Sequence, residues 1–155
     1  MPATLDPDAA AVFKAFQETG RPPYETVSPA EARELYLKGR VVTNPEPPEL
    51  KSVQALAIPS PAGTIRARVY MPTTLRQTNG LAPGLVFFHG GGWVIGNLDS
   101  HDVVCRMLAH EGELIVIAVD YRLSPDTVVG FALGGGGTNW NLSQGLGSGK
   151  SDAFQ

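Results

Sequence analysis

Residues Leu85–Trp93 read Leu-Val-Phe-Phe-His-Gly-Gly-Gly-Trp, an apolar run that ends in a histidine, three glycines and a tryptophan. Its first four residues are apolar and rich in Val and Phe, which predicts a buried β-strand. The three glycines end the strand, because they allow positive φ and let a ligand approach main-chain N–H groups with no Cβ in the way. Donors aimed in advance stabilise negative charge that develops on a carbonyl oxygen, so this loop is a candidate oxyanion hole.

Two blocks around this stretch resemble a known family. The first, Phe88–Asp102, runs from the strand through the glycines to the next helix, and the second, Asp120–Asp126, reads Asp-Tyr-Arg-Leu-Ser-Pro-Asp at the end of the next strand. Both are similar to blocks of α/β-hydrolases of the hormone-sensitive-lipase type, a family that includes many bacterial carboxylesterases. The resemblance covers residues 1–126 and leaves residues 127–155 unmatched.

The resemblance implies an α/β fold that corresponds to the N-terminal part of an α/β-hydrolase. We expect N-terminal cap helices and a connector over residues 1–48, and the N-terminal half of the hydrolase core over residues 49–126. Residues 127–155 hold eight of the eighteen glycines, and we expect this tail to be poorly ordered. The chain is therefore expected to lack the strand that leads to the nucleophile and everything after it.

Two helices are predicted near the N-terminus. The first runs from Asp6-Pro7 to Gly20, and the second from a Ser28 cap, closed by Glu31, to Gly39. Apolar residues recur at helical spacing on each helix: Ala9, Val12, Phe13 and Phe16 on the first, and Ala32, Leu35 and Tyr36 on the second. In the family such helices form part of a cap over the active site; alternatively, they pad the core.

A hairpin and a strand–helix–strand unit are predicted next. Residues 53–58 and 65–70 form the antiparallel hairpin, since residues 65–70 alternate apolar and polar side chains. The apolar run 114–119 is typical of a parallel strand that is buried on both faces. Between it and the glycine loop, Ser100 is expected to cap a helix that ends at Gly112. Its predicted core face consists of Val104, Met107 and Leu108.

The resemblance implies roles for the glycine loop. Gly90 and Gly91 would donate their N–H groups to the oxyanion, and a third donor would come from the residue after the nucleophile. His89 and Gly92 would shape the loop, with a His89 ring nitrogen bonded to nearby backbone. Trp93 either lines the acyl or alcohol pocket or plugs the core beneath the loop.

Other reactive residue types are expected to be structural. His101 and Asp102 are adjacent, so on a helix their side chains point in different directions and do not form a base and its orienting acid. We expect His110 to face solvent near a helix C-terminus, and Cys105 to be a small packed side chain. Asp120 and Arg122 at a strand end would form a buried pair or bind loop carbonyls.

The sequence shows no nucleophile, acid or base for ester hydrolysis. It contains no Gly-x-Ser-x-Gly turn, and its nearest approach, Asn141–Gly145 around Ser143, has asparagine at the first glycine. The family's catalytic histidine comes near the C-terminus, whereas the three histidines here lie at or before residue 110. Residues 144–151 narrowly miss a phosphate-binding loop and follow no predicted strand.

Composition limits the remaining classes. A net charge of −3 without a basic run argues against nucleic-acid binding. The lone Cys105 excludes an internal disulfide. The N-terminus lacks the basic-then-apolar pattern of a signal peptide, and no apolar run approaches about 18 residues, so we expect a cytoplasmic protein with no membrane span. No cofactor and no metal are implied.

Two functions remain. The first is a carboxylic-ester hydrolase for small, short-acyl esters, present as a truncated or frame-shifted form with little activity alone; a related amide hydrolase would use the same loop. The second is a non-catalytic module that binds a carboxylate or another anion, or a partner. In either case the strand 85–88 would be an exposed apolar edge through which the chain can self-associate.

Overall fold

A computed structural model describes residues 5–61 and 63–126 of the protein. The expectations for residues 127–155, including those for Ser143 and for residues 144–151, lie outside the described residues.

The described residues form one mixed sheet with helices, as the sequence predicts. The helices are α1 (Pro7–Glu18), α2 (Pro29–Thr43) and α3 (Asp102–Gly112), with a single 3-10 turn at Tyr24–Thr26. The strands are β1 (Ser52–Ile58), β2 (Ile65–Met71), β3 (Gly84–Phe88) and β4 (Ile115–Asp120), in the spatial order β1-β2-β4-β3. The first two strands form the predicted antiparallel hairpin, β2 also pairs antiparallel with β4, and β3 pairs parallel with β4. The α/β fold with a hairpin followed by strand, helix and strand is therefore confirmed.

The core forms where α3 crosses the sheet. Cys105 and Ala109 of α3 are fully buried against Tyr70 of β2 and Val116 of β4. Because these two helix residues are small and lie four apart, they form one flat stripe that lets the helix approach the strands closely. Burial also raises the pKa of Cys105 to about 12, so the thiol is a packed group, as predicted.

The predicted core face of α3 is wrong by one position. Val104 is only half-buried, whereas Met107 and Leu108 are 42% and 37% exposed. One residue corresponds to about 100° around a helix, so the stripe of small residues excludes the large ones from the sheet side. The prediction placed the large apolar side chains in the core, whereas the close approach of α3 to the sheet needs small side chains.

Two predicted helix boundaries are also corrected. Ser100 does not cap α3: the N-cap position is His101, and the Ser100 hydroxyl instead accepts from the Asn97 N–H at 2.9 Å. Helix α2 continues past Gly39 to Thr43. A Cβ at Gly39 would lie 2.2 Å from the Arg21 guanidinium, so this glycine makes room for a side chain and does not end the helix.

The two N-terminal helices differ in their packing. Both begin as predicted, with Asp6 accepting from Asp8 N–H and Ser28 from Glu31 N–H. Helix α2 buries Ala32 and half-buries the rest of its predicted face. No residue of α1 is buried, and its apolar stripe is exposed. The alternative that both helices pad the core is therefore wrong for α1 within the described residues.

Strand β3 lies at an edge of the described sheet. It pairs only with β4 there, and Phe88 is 58% exposed while Leu85 and Val86 are more than one third exposed. The apolar run predicted a buried strand, which is wrong within the described residues, whereas the expected apolar edge is confirmed. Strand β4 is buried at Val116, Ala118 and Val119, in accord with its central place.

A carboxylate ties the sheet to the start of α3. Asp102 accepts hydrogen bonds from Arg68 at 2.8 Å, from the Tyr70 hydroxyl at 2.9 Å and from Arg106 at 2.6 Å. Burial acts to raise the pKa of Asp102, but the hydrogen bonds from Arg106, Tyr70 and Arg68 outweigh it and lower the pKa. This network fixes the helix start, and so the end of the loop that leads to it.

Candidate active site

The glycine run forms a tight turn after β3. Three consecutive residues have left-handed backbone: Gly91 at φ +138°, Gly92 at +57° and Trp93 at +61°. The Gly91 carbonyl accepts from the N–H groups of Val94 at 3.1 Å and Ile95 at 3.0 Å, which closes the turn. A Cβ on Gly91 would lie 1.9 Å from the Ile95 carbonyl oxygen, so only glycine fits at position 91.

Gly90 is in a different situation. Its φ is not in the left-handed region, and a Cβ there would meet no atom within 4 Å. Among the described residues, neither Gly90 N–H nor Gly91 N–H donates a backbone hydrogen bond. The turn therefore holds two successive main-chain N–H groups without a backbone acceptor among the described residues, and open space lies beside the first of them, at Gly90.

His89 is buried beside the turn. It is 5% exposed, and its Nδ1 lies 2.9 Å from the Gly90 carbonyl oxygen, to which it donates when protonated there. The Tyr121 hydroxyl donates to the His89 carbonyl, and the two rings stack with centroids 4.3 Å apart. Within the described part of the chain, the buried Nε2 of His89 has no hydrogen-bond partner.

His101 and Asp102 have separate surroundings, which confirms that they do not act as a pair. The His101 Nδ1 lies 3.0 Å from the Ser100 hydroxyl, and its ring stacks on His89 at 5.3 Å. Asp102 faces Arg68 and the other partners given above. Burial, the neighbouring His89 and Arg40 lower the pKa of His101 to about 4, so at neutral pH it is an uncharged spacer between the loop and α3.

Trp93 does not plug the core. It is 45% exposed, and its carbonyl accepts from Ser124 N–H at 2.8 Å. The alternative in which it fills space beneath the loop is therefore wrong. A cavity of about 180 Å³ lies nearby between α2 and the loop, lined by Arg33, Tyr36 and Gly96 among others, but Trp93 and the three loop glycines are not among its lining residues.

The peripheral charged residues have structural surroundings. His110 is exposed, as predicted. Asp120 is paired with Arg66 of the neighbouring strand. No helix in the described ranges is long and apolar enough to cross a membrane.

Sequence reasoning missed three residues that hold the loop. Gly96 has φ +96°, and a Cβ there would lie 2.5 Å from both the Gly90 carbonyl and the His89 ring. The other two are Tyr121, beneath His89, and Arg33 of α2, which donates to the Val94 carbonyl at 2.9 Å. The positive φ of Gly96 could have been suspected from the glycine alone, but nothing in the pattern distinguishes Arg33 from a solvent-facing arginine.

The described geometry defines a class of protein: an α/β sheet in which a strand, a glycine turn, a helix and a parallel strand follow one another. A model of the family described as the alpha/beta hydrolase fold matches residues 85–136. The expectation that the resemblance ends at residue 126 is therefore wrong by ten residues.

Known proteins have segments similar in sequence or structure to this chain. The chain is 35% identical over 123 residues to the carboxylic ester hydrolase LipN of Mycobacterium tuberculosis, covering 79% of this chain and 32% of that protein. It is 37% identical over 111 residues to an acetyl esterase of Salmonella agona, covering 71% of this chain and 32% of the relative. A solved ester hydrolase from the metagenome of Lake Arreo aligns with a TM-score of 0.69 and 36% identity, over 79% of this chain and 39% of that one.

The chain contains a segment of the α/β-hydrolase fold, similar to carboxylic-ester hydrolases. It spans about a third of the length of the curated relatives named above.

The low pKa of His101 predicts a pH dependence of stability. Its pKa is about 4 in the fold and 6.5 ordinarily, so the unfolded chain binds more protons between these values. Stability from this group is complete above pH 6.5 and is lost as the pH falls towards 4, by up to about 3 kcal/mol.

We expect His101→Phe to flatten this loss, because the ring contacts remain while the titrating group is removed. The measurement is the urea unfolding free energy at pH 7 and at pH 4, with exposed His110→Gln as the matched control. An unchanged difference between the two pH values in His101→Phe would contradict the assignment.

Proposed function

We propose that this segment supplies the oxyanion-binding part of a carboxylic-ester hydrolase that acts on small esters. The observation that carries the proposal is the pair of successive N–H groups on Gly90 and Gly91, which have no backbone acceptor among the described residues, with open space beside Gly90. When a nucleophile attacks an ester carbonyl, the oxygen becomes negative, and both donors would bind it more strongly than the neutral carbonyl. The hydrogen-bonded turn holds them in advance of the reaction.

The relatives support the chemistry and suggest the substrate class. Those compared above are named as ester hydrolases and esterases, and one is named an acetyl esterase. The solved Lake Arreo enzyme was complexed with a phosphonate derivative, whose tetrahedral phosphorus resembles the intermediate of ester hydrolysis. We infer a small-molecule ester with a short acyl group as the substrate.

The remaining groups of the reaction are not evident in the sequence. No Gly-x-Ser-x-Gly turn is present, and no histidine follows residue 110. Without a nucleophile only electrostatic assistance remains, so we propose that the 155-residue polypeptide has little activity alone.

An anion-binding module is the second candidate. The same two N–H groups, which have no backbone acceptor among the described residues, favour it together with the missing Gly-x-Ser-x-Gly turn. A carboxylate oxygen would take the place that the oxyanion has in catalysis, and no covalent step would follow.

We also propose that the polypeptide associates with itself through β3. The edge residues Gly84–Phe88 contain no charge and no proline, the usual devices that prevent strand pairing. Their side chains remain partly exposed, so pairing two such edges would bury apolar surface as well as satisfy backbone groups.

A chimera tests the catalytic role. Residues 1–126 replace the aligned part of the Lake Arreo ester hydrolase, and hydrolysis of p-nitrophenyl butyrate is measured with the 155-residue polypeptide assayed beside it. We expect the chimera to be active and the polypeptide to match its own Ser143→Ala variant. In the chimera, Gly91→Ala is expected to lower kcat about 100-fold or more, because its Cβ displaces the turn that holds the donors.

Gly84→Ala is the matched control, since its Cβ would lie 3.9 Å from the nearest atom. A Gly91→Ala chimera as active as its parent would contradict the proposal. A folded but inactive chimera that binds butyrate, and loses this binding on Gly91→Val, would instead support the anion-binding module.

Self-association is tested at the sheet edge. We expect Val86→Lys to shift the polypeptide towards monomer in sedimentation velocity, because a lysine on an edge strand opposes pairing. Val12→Lys on the exposed face of α1 is the control for a general loss of apolar surface. Equal effects of the two variants, or a monomeric parent, would refute the edge as the interface.

A further inference from the structure

One side chain of α2 joins three separate segments of the chain. The Arg33 guanidinium donates through Nε to the Val94 carbonyl at 2.9 Å and through Nη2 to the Ser124 carbonyl at 3.0 Å. Its Nη1 pairs with Asp126 at 2.8 Å. The side chain is only 29% exposed, so it lies between the helix and the end of the glycine turn.

Arg33 binds the backbone next to a strained residue. Trp93 is a bulky residue at φ +61°, a conformation that persists only when the surroundings over-determine it. The Trp93 carbonyl is held by Ser124 N–H at 2.8 Å, and the next carbonyl, that of Val94, is held by Arg33. Because Arg33 also binds the Ser124 carbonyl, one guanidinium holds the Val94 carbonyl directly and is bonded to the residue that holds the Trp93 carbonyl.

The same contacts reach Gly91, whose N–H is one of the two proposed donors. Val94 N–H and Ile95 N–H both bind the Gly91 carbonyl, and the carbonyl before it, on Gly90, faces the His89 ring. The peptide groups on either side of Gly91 are thus oriented by hydrogen bonds. The Val94–Ile95 segment, which binds the Gly91 carbonyl, is in turn held by Arg33 through the Val94 carbonyl.

We propose that Arg33 is a positioning residue for the candidate oxyanion loop, an inference that rests on the proposed function of that loop. It acts through the Val94 and Ser124 carbonyls and donates from several nitrogens in fixed directions at once. Lysine has one ammonium on a flexible stem and cannot reproduce this fork. Arg40, on the same face of α2, instead donates to the Ser100 carbonyl at 3.0 Å.

The test uses Trp93 as a local probe in the full 155-residue chain. Trp140→Phe leaves Trp93 as the sole tryptophan, and Arg33→Lys, Arg33→Met and the control Arg40→Met are compared in that background. The readouts are acrylamide quenching of Trp93 and amide hydrogen exchange at Val94 and Ile95. Both Arg33 variants are expected to raise the quenching constant and to speed exchange about 10-fold, as loss of one such hydrogen bond implies. Arg40→Met should leave both readouts unchanged.

Several outcomes would overturn the inference. Equal Trp93 quenching in Arg33→Met and Arg40→Met would do so. Amide exchange that becomes equally faster in β4 would also do so, because it indicates general destabilisation. If Arg33→Met loses its far-UV circular dichroism signal, Arg33→Lys decides, because it keeps the charge and the stem. The readouts need no catalysis: a local Trp93 response alongside an inactive chimera would reject the proposed function while keeping Arg33 as the brace of the loop.

Discussion

The steric constraint at Gly91 governs the candidate site. A side chain there would overlap the Ile95 carbonyl, and that carbonyl cannot move away while its neighbours bind the Gly91 oxygen. The backbone must therefore pass through three left-handed residues in a row, one of them a tryptophan. Such a path is costly unless its ends are fixed, so the surrounding hydrogen bonds are a condition for the loop to exist.

The fold fixes those ends from three directions. Beneath the loop, Tyr121 and His89 connect it to the strand end of β4. Beyond the loop, Asp102 binds Arg68 and Tyr70 and so fixes the first turn of α3 to β2. On the outer side, Arg33 and Arg40 of α2 donate to the Val94 and Ser100 carbonyls. The small side chains on the buried face of α3 also contribute, because they let the helix pack closely on the sheet. This packing fixes the position of the helix start, where the loop ends.

Features that depend on local chemistry could be predicted from the sequence. Features that depend on tertiary packing could not. Glycine and apolar patterns located the four strands of the described residues, the hairpin and the turn, since each depends on neighbours in the chain. The face of α3 was misplaced because packing against Tyr70 selected Cys105 and Ala109 over the larger Met107 and Leu108. Arg33 could not be found, since its partners lie 61 to 93 residues away and no spacing encodes them.

The most direct test of the account is whether the Gly90 and Gly91 amides bind an oxyanion. The measurement is a titration of the ¹⁵N-labelled polypeptide with butylphosphonate, followed in ¹H–¹⁵N spectra. We expect saturable shifts of these two amides, absent in Gly91→Ala, while the amides of β1 stay in place. Amides of Gly90 and Gly91 that remain unmoved at millimolar phosphonate, in a chain that keeps its native spectrum, would contradict it.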